Sequence, residues 1–428
     1  MPTFDSGRSS ELAGPKWLKA RRAAAFERLS TLSLPTADGS EAWRYSPIDE
    51  MDLDSYFPAP GVASSSGSVA LGQTFGSAVG VLHAGRLVAL KRGKTPAPVR
   101  FEALSSLTSA PSALGSSTDE EDYFVSLNDA FVPDGLYIEV PGGVVATEPI
   151  VIVHWCDAGS PDGPVPTSFP RTVIDVGEEA SASVIEVVAG PDPEGASLVA
   201  PVTEIDVADR GELSYVMLQD LGEHSWQLAR LSATLGAEGT LSCFTAGLGG
   251  AYDRCRLDSS ACGPDSRTAL TSVYLGSGDQ IHDVRTLQDH FGRRTKSDLL
   301  CKGAVAQRSR SIYSGLIRVR QGAVRTDAMQ TNHNLVLDTT AHADSVPNLD
   351  IQENDVRCSH ASSIGPIDED QRYYLESRGL SPEQAQRLIV LGFFDDVVAR
   401  APVPAAVGPI RQRIGLRLEG LLGSGRDA

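Results

Sequence analysis

From Phe124 to Cys358 no helical period survives, and short alternating runs take its place. Tyr137-Ile138-Glu139-Val140, Thr172-Val173-Ile174-Asp175-Val176 and Ser183-Val184-Ile185-Glu186-Val187 are examples, separated by Gly, Asp, Asn or Pro clusters. Side chains alternate between the two faces of a strand, so such runs read as strands. A soft repeat links them. Val173-x-x-Val176 precedes a Gly/Glu/Ala turn and then Val184. Ile205-x-Val207 precedes Asp209-Arg210-Gly211 and Leu213, and Leu231-x-x-x-Leu235 precedes Gly236–Gly239 and Leu241. Recurrence every roughly 28–31 residues suits stacked β-coils or a large sandwich. Strand following strand without helices favours a β-helix or solenoid over a doubly wound sheet. The expected fold is mainly β, with helical regions at both ends.

Three regions follow: a helical and mixed segment over 1–122, a β core over 123–360 and a helical module over 361–428. After Pro15, the residues Trp17, Leu18, Ala24, Phe26 and Leu29 form a stripe at helical spacing that Pro35 and Gly39 end. Ser105–Thr118 reads as a loop. Beyond His360 the pattern turns helical. Asp368-Glu369-Asp370 suits a helix start and Arg378-Gly379 a stop, while Ser381-Pro382-Glu383-Gln384 is a capping box. Ala385, Leu388, Ile389, Gly392 and Phe393 then line one face, and a last helix runs through Ile410, Ile414, Leu418 and Leu421. Phe393 and Phe394 are adjacent, hence about 100° apart on a helix, so one aromatic should face solvent or a partner. The module reads either as a cap on the last coil or as a docking site, and the two are compatible.

Net charge is −18 with pI about 4.9, which argues against nucleic acid or an anionic membrane surface as partner. No apolar run approaches the ~20 residues of a membrane helix, and the first residues lack a secretory pattern. Six Cys without a CxxC argue for reduced thiols and a cytoplasmic protein. No Walker A motif, G-x-S-x-G elbow or H-E-x-x-H occurs, so neither an ATP site nor catalytic residues are expected, and the chain reads as a non-enzyme. Gly247–Gly250 reads as a turn. Cys243, Cys255, Cys262 and Cys301 read as buried structural thiols, with Cys255 and Cys262 within reach of one another. His333, inside Gln330–Asn334, reads as part of a ladder of Asn and Gln stacked in successive coils.

Asp355–His360 has an extended pattern, which would put Cys358 and His360 on one face and Ser359 on the other. Thiolate plus imidazole suits iron or zinc. Two ligands are too few for a closed site, so this is half of one, completed by another chain. The alternative is a buried Cys beside a hydrogen-bonded His.

The full stretch Asp355–Gly379 reads D-V-R-C-S-H-A-S-S-I-G-P-I-D-E-D-Q-R-Y-Y-L-E-S-R-G. It resembles the closing segment of the SufB/SufD family of iron–sulfur cluster assembly scaffold proteins, in the form D-V-x-C-S-H-G-A-T-x-G-x-[IL]-D-E-x-Q-x-F-Y-L-x-S-R-G of its SufD branch. Ala361-Ser362-Ser363 and Tyr373 depart from it. Glu41–Ser46, Val81–Leu87, Phe124–Pro149, Thr286–His290 and Ala328–Leu337 resemble further family segments in the same order. SufB-type chains carry a cysteine that residues 330–334 lack. The resemblance implies a right-handed parallel β-helix that pairs with a SufB-like subunit through its end. It also implies a SufC-like ABC ATPase docked on the C-terminal helices, where Leu388, Ile389, Phe393 and Phe394 are the candidate contacts. His360, with Cys358, would hold transient iron or a nascent cluster shared with the partner chain. Rival readings are a β-helix polysaccharide-acting enzyme, a SufB-type paralogue and a purely structural homodimer.

Overall fold

Consecutive strands go to alternate sheets. In the computed structural model, which describes residues 3–60, 66–115, 122–160, 162–191 and 193–423, Tyr252–Ala261, Ile281–His290, Arg310–Val319 and His342–Ile351 are neighbours in a first sheet. Arg267–Gly276, Lys296–Val305, Asp327–Val336 and Arg357–Gly365 are neighbours in a second. Pairing within these sets is parallel. The result is a β-solenoid of about seven turns. Glu212 lies opposite Thr240, and Arg267, Lys296, Asp327 and Arg357 follow in the same row. The repeat in the sequence is therefore one turn of the coil. One corner passes through the left-handed region at Glu179, Arg210, Glu238, Asp265, Arg294 and Arg325. Such a backbone costs a non-glycine residue roughly 1–2 kcal/mol, and exposed pairs such as Arg294–Asp265 between successive corners accompany it.

Inside, residues stack in rungs. Val184, Tyr215, Cys243, Leu270 and Leu299 form one, which continues to Gln330 and His360. A second reads Thr245, Ser272, Cys301, Asn332 and Ser362. The interior thus becomes polar toward the C-terminal end. Burial pushes the Cys243 and Cys301 thiols up to about 12 and Cys255 well above its ordinary value, which leaves them protonated and inert. Cys262 differs from expectation: it is exposed, beyond the end of the strand that carries Cys255 inward, and both are free thiols. Asn332 and Asn334 also differ, since their rungs hold Cys301 with Ser362 and Gly303 with Ile364. They bond to each other and to Tyr274 instead of forming a ladder.

His290 is buried between the hydroxyls of Thr295 (2.7 Å) and Ser297 (2.9 Å). Burial lowers its pKa to about 4, against the raising effect of Asp289. The unfolded chain takes up that proton near pH 6.5, so stability is lost as pH falls from about 6.5 to 4, by on the order of 3 kcal/mol. His290→Gln is expected to shrink the difference in unfolding free energy between pH 7 and pH 4 by that order. Identical pH dependence in variant and parent would refute the assignment.

At the N-terminal side, helix Lys16–Leu29 buries Leu18, Arg22, Ala25 and Leu29, not Ala24. The Arg22 guanidinium is buried and donates to the carbonyls of Val132 and Pro133, both at 2.8 Å. A helix at Tyr123–Phe131 stands inside the segment expected to be β. It is capped by Asp122, Phe124, Leu127 and Phe131 mark its apolar face at helical spacing, and its polar residues Ser126, Asn128 and Asp129 are buried as well. The described part of Ser105–Thr118 is anchored: Leu107, Ala113 and Leu114 are buried against Tyr137 and Val173. Residues 116–118 lie outside the described residues.

The C-terminal helices are Glu369–Ser377, Pro382–Val398 and Pro404–Gly423, and the capping box at Ser381 forms with Gln384. They do not cover the end of the solenoid. Val390, Phe394, Val397, Ile410 and Ile414 pack along the outer face of the second sheet, in one cluster with Val273, Leu300 and Ala304. Lys302 bonds to Asp396 at 2.8 Å, and Asp220 holds both Arg413 and Arg417. Among the described residues no helix is long and apolar enough to cross a membrane.

Candidate functional site at the open end of the solenoid

Both sheets end in a free edge. Among the described residues, His342–Ile351 pairs only with Arg310–Val319, and Arg357–Gly365 only with Asp327–Val336. The last strand runs to Gly365, past the point where the sequence turns helical, because Ala361–Gly365 continue the register of Thr331–Leu335. An uncovered edge presents a row of unpaired backbone donors and acceptors, a template for another chain. Leu349, Ile351 and Ile364 occupy inward-facing rows here yet are 39%, 41% and 47% exposed. No further rung stacks over them.

Cys358 lies opposite Ala328 and His360 opposite Gln330, both of which are buried, whereas Ser359 lies opposite the exposed Met329. The thiol and the imidazole therefore share the inward face of the last rung. Cys358 is half-buried against Ile317, Val319 and Ala328. Burial raises its pKa, offset by a backbone hydrogen bond at Ala328 and reinforced by Asp327. A metal bound there would have to displace the thiol proton. His360 is exposed. Ser362 Oγ donates to Ser345 Oγ at 2.8 Å, joining the two edge strands. Gln330 accepts from Tyr313 Oη at 2.9 Å and donates to the Asn348 carbonyl at 3.1 Å. No local spacing marks these polar neighbours, because only the coil length brings Gln330 and Ser345 beside the last strand.

Among the described residues no group of three or more His, Cys, Asp and Glu is placed to hold a metal ion. His333 belongs to the opposite, outer face, with Nδ1 against Ser363 Oγ, and burial followed by the Lys302 charge lowers its pKa. Of the four apolar candidates on the helical module, Phe394 is buried in the cluster on the second sheet. Phe393 is half-buried under the Lys302 ammonium, 4.7 Å from its ring centroid. Ile389 is half-buried, and Leu388 is exposed. Tyr373 and Tyr374, on a helix with no buried residue, are the more exposed aromatics at 74% and 56%.

Residues 158–393 match the family described as SUF system FeS cluster assembly, SufBD core domain. The chain is 28% identical over 396 residues to the iron–sulfur cluster assembly protein SufD of Escherichia coli (strain K12), covering 92% of each chain. It is 24% identical over 412 residues to SufD of Bacillus subtilis (strain 168), covering 91% of each. An iron–sulfur cluster assembly SufBD family protein of Mycobacterium tuberculosis is 33% identical over 250 residues, 56% of this chain and 61% of that protein.

Proposed function

This chain belongs to the SufBD family of iron–sulfur cluster assembly proteins, and we propose that it acts there as a SufD-type scaffold subunit without a catalytic step of its own. The observation that carries the reading is the uncovered last rung, with Cys358 and His360 side by side in rows that nothing further covers. A SufB-like subunit stacked on this end would pair both edges and close the apolar gap at Leu349, Ile351 and Ile364. Thiolate and imidazole are the donors a cluster requires. An interface could pool two from this chain with others from the partner, so iron or a nascent cluster is cargo held between the subunits.

In the same reading a SufC-like ABC ATPase docks on the C-terminal helices. Leu388, Tyr373 and Tyr374 support such a surface by their exposure. Phe394 supports it only indirectly, by fixing the helix to the second sheet. ATP-driven dimerisation of two such ATPases would twist the paired solenoid ends apart and expose the ligands. The acidic charge is compatible with a cytoplasmic setting.

His360→Ala tests the cargo site. The side chain is exposed, so folding stability should move by less than ~1 kcal/mol, while iron and sulfide content of the reconstituted complex should fall well below that of the parent. Normal iron and sulfide in the purified variant complex would remove His360 from the mechanism.

A further inference from the structure

A chain of net charge −18 gathers arginines on one outer face of the first sheet. Arg256 lies directly opposite Arg285 in the adjacent strand. Like charges so placed repel. Arg254 and Arg285 share Asp283, at 2.7 and 2.5 Å, and are pinned from above by carbonyls of a short segment. Arg254 donates to Ala42 O (2.6 Å) and Arg285 to Arg44 O (2.6 Å). These two cations are buried and fixed. Arg256 is less confined: it is partly exposed, bonds to Asp258 through Nε (3.4 Å) and Nη2 (3.1 Å), and its Nη1 makes no hydrogen bond among the described residues, with Asp122 at 3.9 Å as an ion pair.

The space these residues border is a groove of about 360 Å³ between the strands and the Glu41–Ala42 segment, within the range of small-molecule sites. Its floor is apolar at Leu287 and Leu316, and Arg318 stands further along. Nearby, Tyr45 holds a left-handed backbone (φ 70°) with the guanidinium groups of Arg44 and Arg310 over its ring, at 5.0 and 5.5 Å from the centroid. Strain of that kind in a non-glycine residue concentrates at ligand sites.

We propose that this groove binds a small organic anion of the phosphate class. The anionic group meets Nη1 of Arg256, the one nitrogen of that guanidinium without a hydrogen bond, with Arg254 and Arg285 behind it, and the apolar body lies on Leu287 and Leu316. Arginine presents a planar fork suited to phosphate oxygens, and the fixed cations behind it need no reorganisation when the anion arrives. The site is on the outer face of the first sheet, away from the inward-facing Cys358 and His360, and it stands whether or not the scaffold reading holds.

The probe is 1-naphthyl phosphate, titrated into the full-length chain and followed by its fluorescence and by calorimetry, with 1-naphthol as competitor. Arg256→Gln is expected to weaken binding by at least about tenfold, the loss of one charge-assisted contact. Arg294→Gln, at an exposed corner pair elsewhere, should leave it unchanged, and 1-naphthol should not compete. Leu316→Glu, which sets a carboxylate on the groove floor at a half-buried position, should also abolish binding and covers the case in which Arg256→Gln is poorly folded. Equal affinity for parent and Arg256→Gln would overturn the proposal, as would an equal loss in Arg294→Gln or no binding to the parent at millimolar probe. A drop in melting temperature of Arg256→Gln with unchanged affinity would overturn it too, leaving Arg256 as a brace for Asp122 and Asp258.

Discussion

Ile364→Lys combined with Leu349→Lys is expected to abolish the proposed association with a SufB-like subunit while leaving the monomer folded. Both side chains point into the solenoid but remain 47% and 39% exposed, because no further rung stacks over them among the described residues. In the monomer each lysine can reach solvent past the free edge, so the cost to folding should be about 1 kcal/mol. In a stacked complex the same positions become core, and an ammonium there must be buried without a partner. Central apolar anchors of an interface are each worth about 2 kcal/mol or more, so the pair should weaken association by at least about a hundredfold. Size exclusion and calorimetry with the reconstituted partner give the answer. Full-strength pairing by the double variant would place the SufB-like subunit on another surface. Should the chain self-associate through the same end, the double variant will also be the more monomeric form.

The coil was legible because it is a repeat: the spacing of the apolar runs is the distance between in-register partners such as Glu212 and Thr240. The shared face of Cys358 and His360 was legible for a local reason, the two-residue period of a strand, and so was the capping box at Ser381, whose hydrogen bonds span three residues. What the sequence hid was decided by contacts between distant segments. The polar side of helix Tyr123–Phe131 is buried because Asn128 and Asp129 meet Pro170, Ala200 and Arg171, which no local pattern shows. Whether Phe393 or Phe394 turns inward depended on which surface the helical module covers. It covers the side of the second sheet and not its end, and Val273 and Leu300 carry no mark of that in their own neighbourhood. The arginine groove was equally silent, since Arg256, Arg285 and the carbonyls of Glu41–Arg44 meet only after two separate coils and the N-terminal segment have assembled.

Arg171→Met should produce the largest loss of folding stability among these changes, about 3–5 kcal/mol. The guanidinium is buried at the start of strand Arg171–Val176 and joins three segments at once. It donates to Asp129 Oδ1 at 2.9 Å in helix Tyr123–Phe131 and to Asn128 Oδ1 at 3.3 Å, and it pairs with Glu204 on the next coil. Asn128 completes the joint by donating to the carbonyls of Pro170 (2.8 Å) and Ala200 (2.7 Å). Burial opposes the charge on Arg171, but the two carboxylates more than offset it and raise its pKa. Without the cation, Asp129 still meets Arg21 at 2.8 Å and Arg28 at 3.3 Å near the surface. Glu204, which also accepts the Gly115 N–H at 2.6 Å, is the more deeply buried of the two and loses its pair with Arg171. The penalty should therefore fall mainly on Glu204, and that can be separated. Arg171→Met with Glu204→Gln removes the buried Glu204 charge as well and should recover at least half of the loss, because a buried pair contributes far less than the cost of breaking it on one side. Denaturant unfolding of the parent, the single and the double variant measures all three. A single-variant loss below about 1 kcal/mol, or no recovery in the double variant, would mean that the N-terminal helices are held to the solenoid by their apolar contacts with Phe169 and Leu198 and not by this charge cluster.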